Sequence, residues 1–376
     1  MGKYSVKGSP AFDTRIDADM KCIADAVYAS KFSKHWKALV LLGGYGRGEG
    51  SPCIQRTEDR GQKTEVEMPF NDYDLIVVTN SLDPLLKRAL KKLEKELSKE
   101  LGLPVDLYPY LASALPKCEF SLLNYEMRYG HRVIRGDKNV LNAMPAYPHD
   151  AIPLSEGTRL LMNRGKLLLN IKCRLAQPEA LTREERERFL KFLFKADLAF
   201  GDCALLLRGA YDLSYVVKRH RLPEIDLSGL DDARAFVNAY SRAIDFKERA
   251  DFQTLENGNV HERFATTVKR YEQFFLWYER RRLNRKFQTL EKYAHAFPNL
   301  GKEGSPLKNA AHNLQAFGPG VLRYSFAHPR LRLYAALPLL LTKHADRDEI
   351  GWLLRCRETG TEELARTFYA LQQRFS

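Results

Sequence analysis

The feature that most constrains this chain is the stretch of residues 38–79, where a glycine pair separates an apolar run from a strand that carries acidic residues. Gly43 and Gly44 follow the apolar run ALVLL, and a polar insertion then leads to the run NDYDLIVVT. Side chains two positions apart in a strand point to the same side, so Asp72 and Asp74 are predicted to project side by side. Adjacent carboxylates repel each other unless a cation such as Mg²⁺ neutralises them.

A third carboxylate, Asp106, lies in the segment PVDLY, the next strand expected along the chain. A helix is predicted before it at residues 83–101. The Asp83 side chain can accept hydrogen bonds from the first backbone amides of a helix, and Gly102 can adopt the conformation that ends one. A strand, helix and strand in succession bring equivalent strand ends together, so we expect Asp106 beside the other two carboxylates. The apolar stripe predicted for the helix is Leu85, Leu86, Leu90, Leu93 and Leu97.

The order of a glycine pair, an Asp-x-Asp strand and one later Asp resembles the nucleotidyltransferases of the DNA polymerase β superfamily. The segment GGYGRGE at residues 43–49 is more specifically similar to the glycine motif of the uridylyltransferase that modifies the PII nitrogen-signalling protein. In that enzyme the motif runs almost directly into Ser-Asp-x-Asp, whereas about twenty residues intervene here and Asn71 replaces the Ser. The likeness covers roughly residues 37–108, so it implies the fold and chemistry of the superfamily but not a PII substrate.

The resemblance implies that a nucleoside monophosphate moves from a nucleoside triphosphate, such as ATP, to a hydroxyl group of an acceptor. Two divalent cations, Mg²⁺ or Mn²⁺, would hold the attacking and leaving oxygens. In this scheme Asp72 and Asp74 bridge both ions, and Asp106 binds the ion beside the acceptor and can take the acceptor's proton. The alternative interpretation is that Asp72 and Asp74 are surface acids at the edge of a strand.

The glycine motif is the predicted site for the triphosphate, because a missing Cβ lets backbone amides approach phosphate. Arg47 can bind phosphate with its planar fork, or it can pair structurally with Glu49 or Asp74. Tyr45 stands where many superfamily members carry a Ser, although the PII-modifying enzyme also has Tyr there. The nucleotide-binding residues predicted from this motif are Gly43, Gly44, Tyr45, Arg47 and Glu49.

The insertion at residues 51–70 lies between the glycine motif and the two aspartates. It is polar, and its Asp59-Arg60-Gly61 sequence is a turn signal. Two interpretations follow. The insertion is either a charged hairpin that overhangs the site or a solvated surface loop.

The sequence pattern changes at residues 142–153, which hold three prolines and no periodicity. We therefore predict a catalytic domain at residues 1–150 and an α-helical domain at residues 151–376, built as one or two bundles. A capping-box signature, Thr182 with Glu185, precedes a long helical run. The predicted fold class is an α/β (α+β) nucleotidyltransferase domain with a small mixed sheet, followed by a large α-helical domain.

The helical half supplies one further predicted nucleotide-binding residue, Lys195. In the superfamily, helices after the catalytic domain often give a lysine to the triphosphate and line the acceptor pocket. Lys172 and Arg164 are alternatives for the same role. A salt-bridged helix surface is the other interpretation of all three cations.

The net charge of the 376-residue chain is +13, which suits a polyanionic partner such as RNA, DNA, a nucleoside triphosphate or an acidic protein. A basic solvated face is the alternative explanation. Residues 269–286 mix aromatic and basic side chains, which indicates either RNA binding or the core face of a helix. Six cysteines are present without C-x-x-C spacing, which disfavours a zinc site.

Three functional hypotheses follow from the sequence. The first is a metal-dependent nucleotidyltransferase that acts on a small molecule or a protein. The second is a transferase whose acceptor is RNA, such as the end of a transfer RNA, and the third is a non-catalytic regulatory or antitoxin-like module that binds nucleotide. The N-terminus lacks an apolar signal core, and no apolar run is long enough to span a membrane, so a cytoplasmic location is expected.

Overall fold

The chain folds into a helix and a small sheet, followed by a long series of helices. The computed structural model describes residues 2–59, 62–253, 260–320, 326–342, 347–357 and 360–375. The strands are β1 Trp36–Leu41, β2 Pro52–Asp59, β3 Gln62–Pro69, β4 Tyr73–Thr79, β5 Val105–Leu111 and β6 Arg132–Gly136. The helices of the first part are α1 Pro10–Tyr28, α2 Gly43–Arg47, α3 Pro84–Leu101 and α4 Leu122–Tyr129. The later helices are α5 Ser155–Leu175, α6 Arg183–Leu207, α7 Tyr215–Arg221, α8 Ala233–Glu248, α9 Val260–Arg282, α10 Leu290–Ala294, α11 Pro306–Phe317, α12 Arg330–Leu341, α13 Arg347–Leu354 and α14 Thr361–Phe375.

The main sheet has four strands in the order β5-β4-β1-β6. Strands β4 and β5 are parallel, while β1 is antiparallel to both β4 and β6. The sheet is therefore small and mixed, as the sequence predicted, and helices follow it.

The two faces of this sheet have different roles. Alternate residues of β1, β4 and β5, such as Leu39, Leu75 and Leu107, belong to a buried core that also contains apolar side chains of α1 and α3. Because successive side chains in a strand point to opposite sides, the residues between them face away from that core. Asp74 and Asp106 are among these intervening residues.

The helix after β4 forms as predicted, from Pro84 to Leu101. The Asp83 side chain accepts the Leu85 amide at 2.6 Å, and Gly102 ends the helix in the left-handed conformation with φ 66°. The predicted apolar stripe is wrong at Leu85, which is 57% exposed. The next residue, Leu86, is fully buried in the core, so Leu85 lies on the side of the first turn that faces away from it.

Two other predicted boundaries need correction. The helix predicted near residues 17–34 is α1, which begins at Pro10 because the Ser9 hydroxyl accepts the Phe12 amide at 3.2 Å. The extra strand predicted over residues 126–136 is β6 only in its second half. Its first half belongs to α4, where the Ser121 hydroxyl accepts the Asn124 amide and starts a helix.

The insertion at residues 51–70 is a hairpin, not a solvated loop. Strands β2 and β3 pair antiparallel in continuous register, beginning with Pro52 opposite Pro69. Arg60 and Gly61 of the predicted turn lie outside the described residues. The Arg56 guanidinium donates to both oxygens of Asp251, at 2.9 and 2.6 Å. The Ile54 amide also donates to the carbonyl oxygen of Ala250 at 2.8 Å, so the hairpin is fixed by a segment distant in sequence.

The chain divides into two compact units. The first comprises Met1–Pro153, Gly209–Glu224 and Ser241–Asn257. The second comprises Leu154–Arg208, Ile225–Tyr240 and Gly258–Ser376. The predicted boundary at residue 150 lies near the first division, but two later segments that sequence analysis assigned to the helical domain are grouped with the sheet.

The second unit is helical and has its own buried core. The capping box forms as expected, because the Thr182 hydroxyl accepts the Glu185 amide at 3.2 Å and the Glu185 carboxylate accepts the Thr182 amide at 3.0 Å. The aromatic side chains of α9 are buried, which supports the core interpretation of residues 269–286; they are Phe274, Phe275, Trp277 and Tyr278. Among the helices that the structure describes, none combines the length and the apolar character needed to cross a membrane.

Candidate active site

Three carboxylates converge on the sheet face that points away from α1 and α3. Asp72, Asp74 and Asp106 each offer an oxygen, and these oxygens all lie within 4.8 Å of one another. All three residues are half-buried. The grouping expected from the sequence is therefore present in the structure.

The backbone of β4 and β5 determines this convergence. Asp74 is opposite Asp106 in the parallel register, so both side chains leave the sheet at the same level. The Tyr73 amide donates to the carbonyl oxygen of Pro104 at 2.9 Å, which aligns the starts of the two strands. Tyr73 itself is buried on the core face, and this forces its neighbours Asp72 and Asp74 to the other side.

The carboxylate cluster is electrostatically unfavourable without a cation. Burial raises the pKa of Asp106, and the nearby charges of Glu94 and Asp72 raise it further, while Lys91 opposes them. Lys91 also forms an ion pair with Glu94, a buried residue of α3. Hard oxygen donors at this spacing are the ligands that Mg²⁺ and Mn²⁺ prefer, so the three aspartates fit a divalent cation.

The first glycine of the motif lies directly against this cluster, and the second lies against Glu49 and Lys247. Gly43 has a positive φ of 62°, and a Cβ added to it would lie 2.8 Å from the Asp74 Oδ2 atom. A Cβ on Gly44 would lie 3.0 Å from the Glu49 carbonyl oxygen and 3.3 Å from Lys247 Nζ. Gly43 is therefore favoured both by its backbone conformation and by its close approach to Asp74, while a side chain at Gly44 would crowd the Glu49 carbonyl group.

The lysine next to the glycine pair is one that sequence analysis missed. Lys247, on α8, donates from Nζ to the Glu49 carbonyl oxygen at 2.7 Å. Lys195, which was predicted to bind the triphosphate, belongs to α6 in the second unit. Of its alternatives, Lys172 donates to the carbonyl oxygens of Leu340 and Thr342 near the end of α12, at 2.6 and 3.2 Å.

Arg47 pairs with a residue that the sequence gave no reason to choose. Its Nη1 atom lies 3.2 Å from Glu126 Oε2, whereas the sequence suggested phosphate, Glu49 or Asp74 as partners. Tyr211 donates a hydrogen bond to the same Glu126 carboxylate. Burial alone would raise the pKa of Glu126, but the charges of Arg47 and Lys218 hold it below the ordinary value.

Two other predicted nucleotide-binding residues also make contacts within the first unit. The Glu49 carboxylate accepts from the Ser214 hydroxyl at 2.7 Å and from the Tyr215 amide at 2.9 Å, which caps the start of α7. The Tyr45 hydroxyl is buried and accepts the Phe70 amide at 2.8 Å. These contacts fix the loop that carries Gly43 and Gly44.

A pocket of about 540 Å³ opens beside the carboxylates. Its floor is the face of β4 and β5 that carries Asp74, and its opposite wall is α4. The lining is mainly apolar and aromatic, with Ile76, Tyr108 and Tyr110 from the sheet and Leu123, Asn124 and Met127 from α4. Such a pocket has the size and character of a small-molecule site.

Comparison of this chain with profiles of known protein families, with curated proteins and with solved structures finds no match in any of the three. The site is therefore defined by its own geometry. Three convergent carboxylates, a glycine turn in contact with one of them, a lysine at that turn and an apolar pocket make up the candidate active site.

Proposed function

We propose that this protein is a metal-dependent nucleotidyltransferase of the DNA polymerase β type, which moves a nucleoside monophosphate from a nucleoside triphosphate to an acceptor hydroxyl. The observation that carries the proposal is the convergence of Asp72, Asp74 and Asp106 within 4.8 Å beside the glycine turn. The small mixed sheet and the two acids on one strand are consistent with that class. The proposed acceptor is a small molecule or a protein.

The three aspartates would hold Mg²⁺ or Mn²⁺. When bound, the ions neutralise the phosphate charge and hold the attacking and leaving oxygens in place. Asp74 of β4 lies against Gly43, and Asp72 directly precedes the same strand, so we assign this pair to the triphosphate. Asp106 lies on the neighbouring strand β5, in register with Asp74, and we assign it to the acceptor.

The remaining residues of the site would bind and orient the substrates. The first amides of a helix have no acceptor within it, so those of Gly43 and Gly44 can donate to phosphate. Lys247 Nζ provides a positive charge on the same side of the turn. The buried contacts of Tyr45 and Glu49 keep this turn in one conformation.

The proposed transfer is a single displacement at phosphorus. The acceptor oxygen forms a bond to the α-phosphorus while the bond to the bridging oxygen breaks, and pyrophosphate leaves with the electron pair. The acceptor's proton passes to the Asp106 carboxylate and then to solvent. Asp106 is suited to this step because it is half-buried and belongs to the same group of acids.

The test is to incubate the protein with each of the four α-labelled ribonucleoside triphosphates, Mg²⁺ or Mn²⁺, and an extract of cells. Label should move from one triphosphate to a definite acceptor, and the double variant Asp72→Asn, Asp74→Asn should lose this transfer while circular dichroism shows an unchanged fold. Asp150→Asn, which alters an exposed carboxylate, is the matched control. Undiminished metal-dependent labelling by the double variant would refute the proposal.

An RNA acceptor gains no support from residues 269–286. The aromatic side chains there are buried, and all three consecutive arginines donate to backbone carbonyl oxygens: Arg280 to that of Gln288, Arg281 to that of Trp277 and Arg282 to that of Leu300. Recovery of label in RNA would nevertheless identify such an acceptor. Binding of a triphosphate without transfer to any acceptor would instead support the regulatory hypothesis.

A further inference from the structure

We infer that the pocket beside the three carboxylates binds a flat aromatic ring belonging to a substrate of the transfer reaction. The inference rests on the proposed function, because it assigns the pocket to that reaction. It adds the chemical class of the group that is bound next to the metal site.

The floor of the pocket continues directly from the carboxylates. Along β5, Asp106, Tyr108 and Tyr110 alternate with residues of the other face, so all three project on the same side. Tyr108 is opposite Ile76 of β4 in the parallel register, one step beyond the pair of Asp74 and Asp106. A ring lying on Tyr108 would therefore place its substituents next to the carboxylates.

The opposite wall also presents apolar groups to the pocket. Leu123 of α4 is 69% exposed and Tyr108 is 53% exposed, and both line the same cavity. Large apolar side chains gathered around a cavity lose contact with water when a ligand fills it, which favours an apolar ligand. An aromatic ring held between Tyr108 and Leu123 would gain both stacking and burial.

The polar groups of the lining are few and suit the edge of a ring. The Asn124 Nδ2 atom donates to the Glu119 carbonyl oxygen at 2.8 Å, and the Asn124 carbonyl oxygen has no partner among the described residues. Glu126 also lines the pocket, but its charge is paired with Arg47. Away from Asp74, the lining thus offers the side-chain oxygen of Asn124 as an acceptor for a polar substituent, and no cation for a phosphate.

These features disfavour a sugar or a polyphosphate in the part of the pocket between Tyr108 and Leu123. A sugar buries several hydroxyl groups, each of which requires a hydrogen-bond partner to avoid a desolvation cost. A polyphosphate requires cations or amides, and these lie at Gly43, at the carboxylate end of the pocket, and at Gly44 and Lys247. A flat ring with one or two polar edge atoms matches the lining better than either.

The ring can come from two sources, the base of the nucleotide or an aromatic group of the acceptor. Equilibrium binding by ligand-observed NMR, with EDTA present to remove metal, can separate them. The probes are adenosine, guanosine, cytidine and uridine for the base, N-acetyltyrosinamide for an aromatic acceptor, and methyl glucoside as a non-aromatic control. At least one aromatic probe should bind, and methyl glucoside should not.

Variants of the pocket supply the decisive comparison. Tyr108→Ser should weaken binding of the aromatic probe by about tenfold, because it removes the side chain on which the ring stacks. Leu123→Ser should also weaken binding, because it removes apolar contact on the opposite wall. Tyr108→Phe should retain binding because it keeps the ring. Leu307→Ser is the matched control, because Leu307 is 78% exposed and does not line the pocket.

The outcomes distinguish this inference from the proposed function. Failure of every aromatic probe to bind, or equal binding by Tyr108→Ser, overturns the inference even if the protein transfers nucleotides. Loss of nucleoside binding in Tyr108→Ser, with a higher KM for the triphosphate, assigns the ring to the base. Loss of N-acetyltyrosinamide binding, with an unchanged KM for the triphosphate, assigns it to the acceptor. Binding that depends on Tyr108 without any transfer would support the ring site and count against the proposed function.

Discussion

Asp74 and Asp106 are register partners on the adjacent parallel strands β4 and β5. Gly43 lies so close to Asp74 that a Cβ added to Gly43 would be 2.8 Å from the Asp74 Oδ2 atom. The acids are thus fixed by the sheet, and the turn is fixed against the acids. A cation site built on strands in this way is preorganised, because ligand positions do not depend on a mobile loop. The first two predictions test this relationship.

Asp106→Asn should weaken Mg²⁺ binding by about tenfold, because one of three anionic ligands becomes neutral. Without metal, the variant should be no less stable than the wild type, since the repulsion from Glu94 and Asp72 is removed. The measurement is the melting temperature as a function of Mg²⁺ concentration, with Asp150→Asn as control. The same dependence on Mg²⁺ in wild type and Asp106→Asn would show that Asp106 binds no metal.

Gly43→Ala should impair the site in addition to destabilising the fold. Alanine in the left-handed region costs about 1–2 kcal/mol, and here its Cβ also displaces the Asp74 carboxylate. Gly102→Ala is the matched control, because Gly102 has a similar φ of 66° but no atom within 4 Å of the added Cβ. Chemical unfolding should show a loss of stability in both variants, and only Gly43→Ala should weaken Mg²⁺ binding. Equal Mg²⁺ binding by the two variants would contradict this geometry.

The carboxylate cluster was predictable because its signals are local. Period-two alternation placed Asp72 and Asp74 on one face, while Asp83 and Gly102 fixed the helix that returns the chain for Asp106. These patterns depend on neighbours within a few residues. Conformation of that kind is encoded in short segments and is little altered by distant packing.

The partners of the glycine motif were not predictable, because they come from distant parts of the chain. Lys247 approaches Gly44 from α8, and Ser214 bonds to Glu49 from the segment before α7. Glu126 was expected in a strand, but it lies in α4 and pairs with Arg47. A single sequence carries no spacing that links such residues, so only the folded chain reveals these contacts.

Lys247→Met should raise the KM for the triphosphate by about tenfold, which corresponds to about 1.4 kcal/mol, the contribution expected of one charge-assisted contact. The dependence on Mg²⁺ should not change, because Lys247 is placed at Gly44 and not among the acids. Steady-state kinetics with the triphosphate varied is the measurement, and Lys92→Met on the exposed surface of α3 is the control. A lower turnover with an unchanged KM would mean that Lys247 acts only in the transition state, and unchanged kinetics would mean that it does not contact the triphosphate.

Glu126→Gln should lower the free energy of unfolding by about 2 kcal/mol at neutral pH, because it leaves the largely buried Arg47 without a charged partner. The pKa of Glu126 is held below its ordinary value, so its stabilising effect is present above that value. The effect is lost as the pH falls through the lowered pKa of the folded state. The difference between wild type and variant should therefore be largest at neutral pH and should shrink as the pH is lowered below the ordinary range of a glutamate, as measured by urea unfolding at a series of pH values. Glu119→Gln, on an exposed side chain, should show no such difference, and a Glu126→Gln effect that is the same at every pH would contradict an ionic role for the pair.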